Sequence, residues 1–522
     1  MLFALHYIFI LLSLWGVVFL SFNQFFDGQI ISKWLTFVAF LLIVVFYNAI
    51  KQFTSHTSEL RVFCGIQDML PVLCIVISTL SLYGILQYFN VVRHQVGAVV
   101  TGSYDNPAGF AVTLSSTLPL ILLGTVHRNR RLSILCRFTL ILSLISLGLS
   151  ESRAGLISAV LVFILGGNKL FVKHSYVKWL LIVLYVILII CISFKKIDSS
   201  SGRLLIWICS FLMIKESWLF GYGHGGYEAH YMDFQASYLE QNADSPYVML
   251  ADTVQCPFNE FLNILSDYGV VGLAVVLMYI GYMFYKYINN RTYERLAAFL
   301  TIISVVVFSL FSYPLMYPYV WMLLLFVSEI LIADTKVSWR PAKWFRISFA
   351  TIAIALCFYS VYRVYMWSEA QIKWKKVALS GVYNTAVISE YKDLYCDLSH
   401  DRYFMYNYSY ALYMSGDYDT ASITIGECRK LWADYDVEML QGMIAEKKNL
   451  YTKAESCYIC ATNMCPNRFR PLYCLMKLYE KTGNMVSAKE YAEIILTKTV
   501  KIQSSEVECI KREALMCIET SS

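Results

Sequence analysis

The chain has 522 residues, of which 58% are hydrophobic and 15% charged, and its formal net charge is +6. Soluble domains carry about 25% charged residues, so the composition excludes a soluble cytosolic enzyme, a disulfide-built secreted scaffold and a disordered chain. The positive charge is small and dispersed, which gives no footing for a nucleic-acid partner.

The charges are unevenly spread. Up to about residue 367 the chain is mostly apolar blocks; beyond it Lys, Glu and Asp become dense. An all-α protein is expected, with a polytopic membrane domain over 1–367 and a soluble helical tail over 368–522. A bilayer-crossing helix needs about 20 largely apolar residues. Eleven blocks approach that length: 2–22, 34–50, 69–90, 108–126, 132–150, 154–168, 176–194, 268–288, 296–313, 316–333 and 347–366. The first lacks a basic leader and a small-residue cleavage site, so it reads as a retained span.

Orientation follows the Lys/Arg bias of short loops. One side collects Arg128, Arg130 and Arg131, then Lys169, Lys173 and Lys178, then Lys286, Arg291 and Arg295, and finally Lys336, Arg340, Lys343 and Arg346. The short loops of the other side have only Lys33, Arg93 and Arg153. The basic side is expected to be cytoplasmic, with the N-terminus inside and the tail on the opposite face. The loop over 195–267 then lies outside. It is rich in Gly, Tyr, Trp and His, and loops of such length usually carry function.

The tail repeats itself at a period near 34 residues. Gly416-Asp417-Tyr418 precedes Ala421, Asn449-Leu450-Tyr451 precedes Ala454, and Gly483-Asn484-Met485 precedes Ala488. Tyr458, Ala461 and Pro466 fall where a tetratricopeptide repeat places aromatic, small and helix-ending residues. Over about 403–500 the tail resembles two good tetratricopeptide units and a degenerate third, which implies a surface for a protein partner or a stack that only stabilises the membrane domain. Eight of the fifteen cysteines lie in this tail. Cys457 and Cys460 have C-x-x-C spacing, but no second close pair follows to complete a zinc site, and small buried residues on repeat helices account for them.

Ionisable residues beside spans are default functional candidates, and four clusters stand on the outer side. The first runs from Thr101 to Pro107, the second is Glu151-Ser152-Arg153-Ala154-Gly155. The third joins Arg203 and Trp207 to the run Gly221–Tyr227, and the fourth leads from Phe258-Asn259-Glu260 to Asp267, Gly269 and Gly272. Each has a structural alternative. Asn106-Pro107 also reads as a helix start, Arg153 as an interfacial anchor, the glycine run as a flexible linker, and Glu260 as a carboxylate complementing a helix dipole.

In order and spacing these clusters resemble the O-antigen ligase/O-antigen polymerase superfamily, which includes bacterial protein O-oligosaccharyltransferases. The family pattern has F/Y-x-N-P before a span, S-R-x-G between spans, and an outer loop opening with R…W. The loop runs through G-x-G-x-G-x-F/Y and closes on H/F-N-x-x-L…G-x-x-G. Tyr104–Pro107, Ser152–Gly155, Arg203 with Trp207, Gly221–Tyr227, and Asn259–Leu262 with Gly269 and Gly272 supply these elements over about residues 1–366. Many family ligases have His before the Asn, as the proposed acceptor-activating base; here that position is Phe258. Glu260 is the expected replacement, with His224 and His230 behind it.

The resemblance implies glycan transfer from an undecaprenyl-pyrophosphate carrier to an acceptor hydroxyl on lipid A-core, protein or another glycan, at the outer face of the bacterial inner membrane. It implies no cofactor and no metal. Arg153 and Arg203 would clamp the pyrophosphate leaving group, because Arg recognises phosphate oxygens in pairs. Glu260 would take the acceptor proton. Tyr104, Asn106, Trp207, Gly223, His224, Tyr227 and Asn259 would bind substrate, and Trp218, Tyr222, Tyr227 and Tyr231 would stack on sugar faces. Two alternatives stay open at this point: a polymerase joining repeat units on lipid carriers, and a non-enzymatic membrane scaffold or transporter with a docking tail. A transporter should show charges in mid-span or paired broken helices, and neither is evident in the sequence.

Overall fold

A computed structural model describes residues 66–92, 100–104, 106–170, 175–195, 197–332 and 343–520. The expected spans at 2–22 and 34–50 lie outside them. Among the described residues all regular structure is helical, with nineteen α-helices and two short 3₁₀ turns and no strand. Each of the nine expected blocks between 69 and 366 overlaps a helix, although the block at 296–313 runs past the helix end at Ser309 and the block at 316–333 begins before Pro318.

Contacts divide the chain into two compact units. Of the described residues, those up to 195, 258–260 and 274–368 form one unit, and 197–257, 261–273 and 369–520 form the other. Residues 197–257 thus belong to the same unit as residues 369–520.

In the first unit the described helices are α1 (Ile66–Tyr88), α2 (Pro107–Thr125), α3 (Arg130–Leu149), α4 (Arg153–Leu170) and α5 (Ser175–Lys195). After the excursion into the second unit come the later part of α8 (Glu260–Asn289), then α9 (Tyr293–Ser309) and α10 (Pro318–Ile332), and α11 (Lys343–Leu379) begins. Helix α2 is the centre: it packs against α1, α3, α4, α9 and α10. It is apolar or small all round, and fifteen of its nineteen residues are buried, as expected of a helix without a polar face. Its neighbours are joined by hydroxyl pairs, Ser78 with Thr139 at 2.7 Å, Thr117 with Tyr319 at 2.7 Å and Ser158 with Ser304 at 2.6 Å, the kind of polar contact that holds helices together where no water competes.

The periphery is apolar outward. On α3, Ile134, Phe138, Ile141 and Ile145 recur at helical spacing and all stand exposed. Water-soluble monomers do not display stripes like this; lipid is the solvent that suits them. Four described helices are long and apolar enough to cross a membrane by themselves: α1 from Met69, α2, α3 and α8. The last differs from its expected bounds of 268–288. It starts eight residues earlier and is broken at Gly269, whose φ of 63° and ψ of −165° are not helical.

The second unit holds the loop over 197–257, which is largely helical: α6 (Ile197–Glu216) and α7 (Gly226–Gln241) fill much of it. Its remaining helices, beyond the end of α11, are α12 (Thr385–Leu398), α13 (Arg402–Ser415), α14 (Tyr418–Leu431), α15 (Tyr435–Lys447), α16 (Tyr451–Met464), α17 (Arg470–Thr482), α18 (Met485–Thr497) and α19 (Ser505–Thr520). Asn384, Asp401, Asp417, Asp434 and Asn484 cap their helices through side-chain oxygens, each satisfying backbone donors that a helix start leaves open. The 34-residue period corresponds to helical hairpins, α13/α14, α15/α16 and α17/α18, packed pairwise. Gly416, Asn449 and Gly483, at the repeat positions, take the left-handed conformation (φ 89°, 58° and 80°) that lets each hairpin turn. Ala421, Ala454 and Ala488 are fully buried where paired helices meet.

Candidate functional site

The start of α2 is built by the Asn106-Pro107 pair. Asn106 Oδ1 accepts from the backbone N–H of Ala108 at 2.8 Å and Gly109 at 3.0 Å, and Pro107 occupies the first helical position, where its missing N–H costs nothing. The Asn106 amide also donates to the Tyr313 hydroxyl at 2.8 Å, and Tyr317 donates to Oδ1 at 3.1 Å. Tyr104 is buried; its hydroxyl accepts from Thr113 at 2.6 Å and its ring meets Tyr317 edge-on at 5.4 Å. The N-P element is therefore a helix start and also a junction with the 313–317 turn.

The same turn receives the fourth cluster. Phe258 packs its ring against Tyr313 at 5.7 Å, Asn259 donates to the Leu310 carbonyl at 3.2 Å, and Glu260 Oε1 accepts from the Leu315 N–H at 2.9 Å. Clusters more than 150 residues apart in sequence thus meet on residues 310–317. Glu260 is buried in the first turn of α8, where its charge complements the helix dipole.

Arg153 opens α4 one residue after Ser152, whose hydroxyl accepts from the Gly155 N–H at 3.4 Å. A side chain on Gly155 would meet the Ala111 methyl and Leu147 at 2.9 Å. Glycine lets α4 lie directly on α2, and Ala111 is just over one helical turn from Asn106. Arg153, Asn106 and Glu260 all belong to the first unit.

Four non-glycine residues among those described have positive φ: Asn90, Glu151, Phe258 and Asn449. Asparagine tolerates this region, whereas Glu151 and Phe258, both at φ 51°, do not readily adopt it. Both sit in the candidate clusters. Backbone held in such conformations concentrates at functional sites.

In the second unit, the glycine run is a tight backbone lace and not a flexible linker. Tyr222 N–H donates to the Ser266 carbonyl at 2.9 Å, Gly223 N–H to Asp267 at 2.8 Å, and Val270 N–H to Trp218 at 2.9 Å. Gly221 has φ 69°, and a Cβ there would lie 2.4 Å from the Asp267 carbonyl carbon. At Gly269 a Cβ would lie 2.2 Å from the Leu219 oxygen. Asp267, from the first part of α8, caps α7: Oδ1 accepts from Tyr227 N–H at 2.9 Å and Oδ2 from Gly225 N–H at 3.3 Å.

His224 is exposed, with Nδ1 2.9 Å from the Tyr268 hydroxyl, and Gly223 stands beside open space. Arg203 is half-buried on α6. Trp207, one turn further on, donates its indole N–H to the Pro257 carbonyl at 3.0 Å, anchoring the backbone just before Phe258. His230 stacks obliquely on Tyr222 at 4.7 Å.

Two expectations need correction. Tyr227 and Tyr231 are 1% and 0% exposed, stacked on each other at 4.8 Å, with Tyr227 against Ser210 and Tyr231 donating to Gln235. They are core and offer no face to a sugar. Trp218, 57% exposed, and the half-buried Tyr222 remain available. Sequence reasoning missed Tyr313 and Tyr317; the close prolines Pro314 and Pro318 marked a turn there, but nothing local said that Asn106 would bond to it. Among the described residues no three His, Cys, Asp or Glu side chains converge as a metal-binding cluster. Thirteen of the fifteen cysteines stand as free thiols, Cys457 and Cys465 among the buried ones.

When the chain is compared with known families, a model described as O-antigen ligase matches residues 138–277. No curated protein matches.

Proposed function

We propose that the chain, which matches a family described as O-antigen ligase over residues 138–277, is a membrane glycosyltransferase of ligase or polymerase type and transfers a finished glycan from undecaprenyl-pyrophosphate to an acceptor hydroxyl at the periplasmic face of the inner membrane. The observation that carries this is the meeting of Asn106, Phe258, Asn259 and Glu260 on the 310–317 turn, where α2 begins, the helix on which α4 with Arg153 at its start packs. The matched stretch contains Arg153, Arg203, Glu260, the glycine lace and both left-handed residues, Glu151 and Phe258.

The chemistry asked of these residues is modest. The leaving group is a lipid pyrophosphate, so the barrier falls mainly by fixed positive charge where negative charge develops. Arg153 and Arg203 supply that charge, each able to engage two oxygens. Glu260, oriented by the Leu315 N–H, accepts the acceptor proton as the new glycosidic bond forms and the pyrophosphate departs; such a base contributes about 10²–10⁴-fold. Trp218 and Tyr222 lend flat apolar surface to sugar rings. The tail, read as tetratricopeptide-like repeats, contributes a helical surface in the same unit as the outer loop.

A deletion strain tests this directly. Loss of all glycan from the acceptor with accumulation of full-length lipid-linked glycan is expected of a ligase. Single units still attached to the acceptor would reassign the protein as a polymerase. Unchanged surface glycan and unchanged lipid-linked pools would remove the enzymatic reading.

A further inference from the structure

Within the second unit, the tail grips the outer loop at three successive places. Arg402, at the start of α13, pairs with Glu228 in the first turn of α7. Arg429, near the end of α14, pairs with Asp233 one and a half turns further along α7 and with Glu438 of α15. Arg468, before α17, pairs with Asp252 at 2.7 Å. Between these, the buried Gln235 amide donates to the Met464 carbonyl at 2.8 Å, and the Ala433 N–H donates to the Glu228 carbonyl at 3.0 Å. Helix α7 packs on α16 and α14, the second helices of two hairpins.

These contacts differ from incidental surface pairs. The Arg402 and Arg429 side chains are 14% and 21% exposed, and Gln235 is fully buried. Partly desolvated pairs of this kind are costly to break from one side, unlike solvent-exposed ones. The face of the tail formed by α14 and α16 is therefore already occupied by the chain's own loop.

We propose that the tail is the intramolecular seat of the outer loop, with Arg402 and Arg429 acting as positioning residues for the Gly221–Gly226 lace. The path is short. Helix α7 begins at Gly226, its first turn is capped by Asp267, and Asp267 and Ser266 carry the backbone bonds of the lace. Fixing Glu228 and Asp233 fixes the helix whose N-terminus the lace surrounds. The tail's contribution is to hold the loop, and an external protein partner is not required on that face. This rests on the proposed glycan transfer only for its activity readout.

The test uses full-length protein in native membranes: Arg402→Glu, Glu228→Arg, the double swap, and the milder Arg402→Lys. Two quantities are read, chymotryptic nicking at Tyr247–Leu250 and glycan transfer per molecule of membrane-inserted protein. Each charge reversal is expected to increase nicking and to lower transfer about tenfold or more. The swap is expected to restore both, and Arg402→Lys to fall between. Nicking unaffected by either reversal, or a swap that restores neither quantity, overturns the seat. Nicking that responds and is rescued while transfer stays at wild type overturns the positioning role. Wild-type protein inactive in transfer would remove the proposed function, while nicking would still decide the seat.

Discussion

Phe258 and Glu151 share a backbone conformation that glycine enters freely and other residues do not, and both lie where the sequence motifs fall. At Phe258 the ring is held against Tyr313, so the strain and the packing can be separated by substitution. Phe258→Ala loses the ring and keeps the strain; Phe258→Gly loses the ring and relieves it. The glycine variant is expected to be more stable than the alanine variant by about 1 kcal/mol, measurable as a higher thermal midpoint in detergent, and equal midpoints would contradict it. Glu260→Gln keeps an oxygen to accept from Leu315 N–H but cannot take a proton. Its stability should stay within about 1 kcal/mol of wild type while transfer falls about 10²-fold or more; equal loss of both would make Glu260 a structural residue only. The types of these residues were legible in the sequence, because few charges stand beside apolar blocks. Their partners were not. Tyr313 joins Asn106 to Phe258 across 207 positions on one side, and no local pattern encodes such a meeting. Tyr227 failed for the opposite reason: an aromatic in a glycine-rich loop looks the same in sequence whether it faces a ligand or a core.

At the scale of elements, glycines separate into those that need space and those that need only a backbone conformation. Gly269 and Gly221 are pressed against carbonyl groups of facing backbone, whereas Gly223, at φ 88°, has nothing within 4 Å of its missing Cβ. Gly269→Ala is expected to cost about 3 kcal/mol or more by forcing the lace open, and Gly223→Ala only about 1 kcal/mol from its backbone. Proteolysis of the outer loop read alongside the thermal midpoint checks this: similar effects for the two variants would mean that the lace does not bear on the fold. The sequence marked these glycines as a motif and gave α8 as a block beginning at 268. It could not show the early start at Glu260, because hydropathy registers the apolar run and not the polar turn that precedes the kink. Nor did low hydropathy in 195–267 forbid helices there. The cap of α7 comes from Asp267, forty residues downstream of Tyr227, so the usual local start signal is missing.

Across the whole molecule, composition divided the chain at about residue 367, and the contact division also has a boundary after Ser368. What composition could not show is that 197–257 joins the tail. The pairs that bind them, such as Arg402 with Glu228 and Arg429 with Asp233, lie far apart in sequence and look like ordinary surface charges. The period of 34 residues was legible because each hairpin needs a small buried residue and a left-handed turn at the same place. One buried acid in this unit gives it a pH signature. Asp434 caps α15 and is 2% exposed, and burial pushes its carboxyl up to about 6. A carboxyl raised in the folded state contributes stability that is fully present below its ordinary pKa near 4 and is lost as pH rises through about 6. Asp434→Asn, which keeps an N-cap oxygen, should therefore gain stability relative to wild type between pH 4 and pH 7. Thermal midpoints of both proteins across that range should diverge as pH rises, and parallel curves would contradict the assignment.

In the proposed function, Arg153, Arg203 and Glu260 perform glycan transfer from a lipid carrier. The most direct measurement is the lipid-linked glycan pool in a deletion strain complemented with Arg153→Lys, Arg203→Lys or Glu260→Gln at wild-type membrane levels. Accumulated undecaprenyl-linked glycan with a bare acceptor in each strain is the predicted result. Full glycan on the acceptor with Arg203→Lys and Glu260→Gln, and no accumulation, would contradict it.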